Sequence, residues 1–225
     1  MIRQLAFELP LREALGREDF MISPANALAL ETLSDWRNWP GGRMLLIGPE
    51  GAGKTHLAHV WAADTQAIIV PGYGLATQNL PALAIKGAVI IEDADRIAAT
   101  DQPALFHLHN MISERGGRLL LTARQPVRDW GLDLPDLISR MQAVAVTRLQ
   151  PPDDALLSAV LVKLFTDRQI AISPALIPYL VSRMDRSFAA ARALVARLDA
   201  RALSQGRAIT RGLAADILLD PDDTP

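Results

Sequence analysis

Five short apolar runs punctuate the N-terminal part of the chain: RMLLIG (43–48), AIIV (67–70), AVIIED (88–93), RLLLT (118–122) and AVAVTRL (143–149). They are apolar on both faces rather than alternating, so each reads as a strand covered on both sides, as in a parallel sheet. Between them GKTHLAHVWAAD (53–64) and PALFHLHNMISERG (103–116) place apolar residues at helical spacing, the second closed by Gly116-Gly117. This alternation predicts a doubly wound α/β domain. After LQPPDD (149–154) the pattern changes. DDALLSAVLVKLFTDRQ, SPALIPYLVSRM and SFAAARALVARLDARALSQG are all helical in period, with Ser173-Pro174 as a helix start and Gly206 as a stop. The predicted organisation is a short peptide over 1–16, a five-stranded sheet domain over 17–150, a small all-α module over 151–219 and an acidic, frayed tail over 220–225.

Composition narrows the classes. A chain of 225 residues that is 50% hydrophobic builds a core without cross-links. With no cysteine, disulfides and thiolate metal sites are excluded, which fits a reducing cytoplasm. MIRQLAFELPLREALGRED is broken by charges every few residues, and no run reaches the roughly 18 apolar residues of a membrane span. Neither a signal peptide nor a span is predicted, and a cytoplasmic location is expected. The net charge of -2 argues against strong direct DNA binding.

GPEGAGKTH (Gly48 to His56) follows the first strong strand and opens a helix, the setting in which G-x-x-x-x-G-K-[ST] cradles phosphate. Gly51 and Gly53 let the backbone curl so that its N–H groups face phosphate oxygens, Lys54 can reach the β/γ-phosphates, and Thr55 can hold Mg²⁺. Lys54 is one of three lysines, with Lys86 and Lys163, among 23 basic residues, which makes a chance match rare. Gly48, Pro49, Gly51, Ala52, Gly53, Lys54, Thr55 and His56 are the expected nucleotide contacts, for ADP or ATP. His59, His107 and His109 show no ligand-like partners and read as helix packing or surface residues.

GKTHLAHVWA, REDFMISPANALAL (17–30), GLDLPDLISRM (131–141) and SRMDRSF together resemble the DnaA-related proteins of the AAA+ superfamily, in order and over nearly the whole chain. The resemblance implies an AAA+ core followed by a helical lid. Within that family the likeness is to regulators that inactivate DnaA after the replisome has loaded. DnaA itself carries a DNA-binding domain after its lid, and here the chain ends near where that domain would begin, so initiator function is not expected and DNA is expected as an indirect partner only.

RQLAFELPL (Arg3 to Leu11) resembles the Q-L-x-[LF] peptide that docks on the replication sliding clamp. Gln4 would offer its amide to a pocket rim while Leu5, Phe7 and Leu9 fill apolar subsites. The same alternation also describes an edge strand with one buried face.

The groups that would run hydrolysis depart from the family pattern. Glu92 and Asp93 end the third strand where an acidic pair supports Mg²⁺ and orients water, and Glu92 replaces the family's usual Asp. Asp93 and Asp95 could instead cap the next segment. Arg124 stands where the family has an Asp two residues after the Thr of LLLTARQP, and Ala189 stands where the lid's sensor arginine belongs. Arg186 and Arg192, three residues to either side, are candidates to replace it, and Arg186 is taken as a nucleotide contact; a solvated face is the other reading of Arg192, Arg197 and Arg201. By resemblance, Arg140 is the arginine presented in trans to a neighbour's nucleotide, although a surface pair with Asp136 would also suit its spacing. The expected function is therefore a nucleotide-binding regulator with weak or no ATPase of its own, partnered by DnaA and the clamp. Self-association is left open. A helicase loader or DNA-associated motor is the alternative, and a small-molecule P-loop kinase a third class.

Overall fold

The computed structural model describes residues 20–219. Gln4, Leu5, Phe7 and Leu9 lie outside the described residues, as does the tail at 220–225. In chain order the helices and strands are α1 (Ala27–Ser34), β1 (Arg43–Ile47), α2 (Lys54–Thr65), β2 (Ile68–Pro71), α3 (Leu80–Ile85), β3 (Ala88–Glu92), α4 (Gln102–Glu114), β4 (Arg118–Ala123), α5 (Pro135–Gln142), β5 (Ala145–Arg148), α6 (Asp154–Asp167), α7 (Leu176–Val181), α8 (Phe188–Gln205) and α9 (Arg211–Leu219).

The five strands form one parallel sheet in the order β2-β3-β4-β1-β5. Successive side chains of a strand leave on opposite faces, and both faces of β1, β3 and β4 are buried, whereas the edge strand β5, expected to be covered on both sides, leaves Val146 and Arg148 exposed because only β1 pairs with it. Leu45, Ile47, Val89, Ile91, Leu119 and Leu121 pack against α3, α4 and α5 through Leu83, Leu105, Leu108, Leu137 and Met141. Met44, Leu46, Ile90 and Leu120 pack on the other face against Leu57, Ala58 and Trp61 of α2 and Ala29 and Leu33 of α1. Each such Leu or Ile contributes about 1.5–3 kcal/mol on burial. Because β4 lies between β3 and β1, the carboxyl ends of these three neighbouring strands converge on one edge, where the loop after β1 also lies.

The helical module has its own core, centred on Leu157, Leu161, Phe165, Leu180, Leu194, Val195 and Leu198. Asp153 caps α6 by accepting from Leu156 N–H at 2.8 Å, and Ser187 caps α8 by accepting from Ala190 N–H at 3.0 Å. Gly206 ends α8 in the left-handed conformation. One start differs from expectation: Ser173-Pro174 opens a turn, with Leu176 N–H donating to the Ser173 carbonyl at 2.9 Å, and the α-helix begins only at Leu176.

His109 is 1% exposed, inside α4. Burial, and secondarily the Arg43 guanidinium, push its imidazole down from 6.5 to about 4. The unfolded chain takes up this proton near pH 6.5 whereas the native chain resists it until about 4, so its stability contribution is intact above 6.5 and lost as pH falls between those values. The loss is on the order of 2–3 kcal/mol. Urea unfolding at pH 7 and pH 4.5 checks this: His109→Gln should show a smaller drop in stability than wild type by about that amount.

Candidate nucleotide-binding site

The loop after β1 is shaped by two glycines in positive-φ conformations, Gly51 at 71° and Gly53 at 97°. Gly48 N–H donates to the Ala123 carbonyl at 3.1 Å, tying the loop to the end of β4. Gly53 is the N-cap of α2 and supplies no side-chain cap, so the first N–H groups of the helix remain available to an anion on the axis of its dipole. Lys54 is 8% exposed and folds back over the loop, its Nζ donating to the carbonyls of Gly48 at 2.8 Å and Pro49 at 3.0 Å. Burial lowers the Lys54 ammonium from its ordinary value, opposed first by the Asp93 carboxylate.

The strand ends supply the next wall. Asp93 adopts a left-handed conformation with φ of 49°, its N–H donating to Thr122 Oγ1 at 3.1 Å. Its carboxylate lines the cleft with Lys54 and Thr55. Glu92 does not share that wall: its Oε1 is buried without a hydrogen-bond partner, and its carbonyl accepts from Gly72 N–H at 2.6 Å. Of the acidic pair read from the sequence, Asp93 faces the cleft and Glu92 stands beside it, so Thr55 with Asp93, rather than Thr55 with Glu92, fits a divalent cation at the phosphate end. Arg124 follows β4, its Nη1 2.6 Å from Glu50 Oε2 across the mouth of the loop.

The other wall comes from the helical module. Ala189, Arg192, Ala193 and Ala196 of α8 and Leu156, Val160, Lys163, Leu164 and Asp167 of α6 face the loop across a cleft of about 700 Å³. That volume suits a small-molecule ligand. Phe188 N–H donates to the Gly51 carbonyl at 2.9 Å, so the N-terminus of α8 rests on the loop itself. Arg186 and Arg192 were expected on one helix face; Arg186 instead precedes α8 and sits 2.6 Å from Asp154, outside the cleft, while Arg192 lines it. Among the predicted loop residues, Gly51, Gly53, Lys54, Thr55 and His56 line the cleft; Gly48 and Pro49 serve Lys54, and Ala52 is buried in the core.

Phe20, Met21 and Asn26 also line the cleft. Asn26 Nδ2 donates to the Met21 carbonyl at 2.8 Å, and the His56 ring meets Phe20 edge-on at 5.2 Å. Phe20, Leu156, Val160 and Leu164 give the wall apolar surface that could take a base, beside the charged Lys163, Asp167 and Arg168. Sequence reasoning did not single out Phe20, Met21 or the α6 residues; REDFMISPAN marked the segment, but only the fold brings it to α6. Arg140 lies apart, on α5, exposed and 5.4 Å over the Phe106 ring, on the sheet face opposite α2.

No family model matches the chain. Among solved structures, domain III of the Thermotoga maritima replication initiation protein DnaA matches with a TM-score of 0.79 at 18% identity, covering 96% of this chain and all of that one. AMPPCP-bound DnaA from Aquifex aeolicus gives 0.70 at 14% identity over 86% of this chain and 68% of its own. Together with the parallel five-stranded sheet, these matches decide the architecture. The fold is a P-loop AAA+ fold. The Thermotoga maritima RuvB Holliday junction branch migration motor shares it, at a TM-score of 0.62 and 19% identity over 84% of this chain and 64% of that one. In AAA+ terms the cleft lies between core and lid, and α8 is the lid helix resting on the phosphate loop.

That contact generates a test. A Cβ on Gly51 would come within 2.5 Å of the Ser187 Cβ, at a φ already unfavourable to side chains. Gly51→Ala should lower stability by about 1–3 kcal/mol and raise proteolytic cleavage between core and lid, read by urea unfolding and limited proteolysis.

Proposed function

We propose that the chain is a nucleotide-holding regulator of DNA replication initiation of the Hda type. It docks on the sliding clamp through Gln4, Leu5, Phe7 and Leu9 and presents Arg140 to the ATP of DnaA, stimulating the hydrolysis that inactivates DnaA. The observation that carries the reading is the separation of two sites: the cleft lies between the phosphate loop and the lid, whereas Arg140 is exposed over the Phe106 ring on α5 and is not among the residues that line the cleft.

ADP or ATP would lie with its phosphates on the free N–H groups of α2 and its base toward Phe20 and Leu156. Lys54 would exchange the carbonyls of Gly48 and Pro49 for phosphate oxygens, and Thr55 and Asp93 would hold Mg²⁺. A bound magnesium ion offsets phosphate charge. Asp93 is the one carboxylate of the β3 end in the cleft wall, and Arg124 adds a cation where an acceptor is needed, which together favour holding nucleotide over turning it over, while Arg192 brings the charge of the lid helix that Ala189 lacks. The Arg140 guanidinium brings fixed planar charge to the phosphoryl group in the partner's site, where such a group supplies roughly 10³ to 10⁵ in rate.

Mixing the protein with DnaA-ATP, clamp and DNA tests this: Arg140→Ala should lose at least about a hundredfold of the stimulation, and an unchanged rate removes the finger role. Replacing Gln4 and Leu5 by alanine should abolish retention on the clamp in a pull-down. The match to a branch migration motor favours a second reading, a DNA-associated ATPase; ATP turnover raised strongly by single-stranded DNA and abolished by Lys54→Ala would select it.

A further inference from the structure

At the phosphate end of the cleft the backbone around Arg124 is fixed from two sides. Gly48 N–H donates to the Ala123 carbonyl at 3.1 Å, and Arg124 N–H donates to Asp95 Oδ2 at 2.9 Å. The residue is thus anchored to the phosphate loop and to the turn after β3. Its side chain lines the cleft, and Nη1 reaches Glu50 Oε2 at 2.6 Å. Glu50 belongs to the phosphate loop, between Gly48 and Gly53, and its carboxylate lines the same cleft. An acidic side chain of the loop therefore holds a guanidinium at the loop mouth, where phosphate charge enters.

The two partners of this pair are unequal. Arg124 is pinned through its main chain and is 38% exposed, whereas the Glu50 side chain is 72% exposed and held in the pair at one oxygen. An ion pair that open to water is weak. A phosphate offers the same guanidinium a doubly charged, bidentate acceptor, which is the stronger contact. Lys54 makes the same kind of placeholder contact, resting on the carbonyls of Gly48 and Pro49.

We infer that Glu50 acts as a built-in phosphate mimic: Arg124 releases it on nucleotide binding and pairs with the outermost phosphate of a nucleoside di- or triphosphate. The inference rests on the nucleotide-binding reading of this cleft and deepens it, making Arg124 a ligand-holding residue and Glu50 a competitor that sets affinity.

A double-mutant cycle tests it, with ADP as probe, the full chain in magnesium buffer and isothermal calorimetry as readout. Arg124→Ala should weaken ADP about tenfold and Arg124→Lys less, since lysine keeps the charge and loses the fork. Glu50→Gln should tighten ADP about threefold in the wild-type background. In the Arg124→Ala background the same Glu50→Gln change should tighten ADP by less, because the part of its effect exerted through Arg124 is gone and only its weaker action on Lys54 remains. Arg124→Ala binding as tightly as wild type, or Glu50→Gln tightening ADP equally with and without Arg124, would overturn the exchange while leaving nucleotide binding in place. Wild type that binds no ADP would instead remove the nucleotide reading itself. Both positions are on the surface, and thermal melting of each variant confirms that the fold is intact.

Discussion

The hydrogen bond from Phe188 N–H to the Gly51 carbonyl, at 2.9 Å, joins the lid helix to the loop on which everything else in the site depends. The loop is curled by Gly51 and Gly53, and the lid rests against both: a Cβ at Gly51 would strike Ser187, and one at Gly53 would come within 3.1 Å of the Phe188 ring. Closeness therefore requires glycine twice over, once for the loop's backbone and once for the lid's approach. The loop and the helical module both line the one cleft, so a ligand filling it would contact both.

Around that junction the charged groups divide into those that grip and those that would react. Uncapped N–H groups of α2, Lys54 and Arg124 all favour binding an anion. The groups of a hydrolytic site are thinner. Asp93 reaches the cleft, Glu92 stands aside with a buried, unpartnered oxygen, and from the lid helix Arg192 rather than Ala189 supplies charge. Arg140, the remaining guanidinium of interest, projects from α5 on the opposite face, carried over the Phe106 ring. The cleft and Arg140 thus lie on different parts of the domain, the arrangement that the proposed regulator requires.

Much of the architecture was legible because the chemistry is local. Doubly covered strands require continuous apolar runs, and RMLLIG, AVIIED and RLLLT have them; the edge strands β2 and β5 show in the same way through AIIV and AVAVTRL, although β5 leaves Val146 exposed. Gly116 and Gly206 mark helix ends through their own backbone freedom. The phosphate loop was legible for the same reason, being a contiguous segment whose glycines and lysine have fixed tasks. Short helices such as α1, α3 and α5 carry too few turns to show a period, and α7 starts later than Ser173-Pro174 suggested. The apolar part of the site was hidden because Phe20, Leu156 and Val160 are far apart in sequence and come to line one cleft only through the fold. Spacing along a presumed helix placed Arg186 beside Arg192, but α8 begins at Phe188 and Asp154 draws Arg186 out of the cleft. Likewise the adjacency of Glu92 and Asp93 hid the fact that the strand ends at Glu92 and that Asp93 turns off it in a left-handed conformation.

The central claim is that this cleft keeps its nucleotide rather than consuming it. A single-turnover experiment with γ-labelled ATP bound to the isolated protein measures that directly, by comparing phosphate release with dissociation of the intact nucleotide. The account predicts that ATP leaves unhydrolysed, with phosphate release no faster than in Lys54→Ala. Rapid phosphate release from the protein alone, lost in Lys54→Ala, would contradict it.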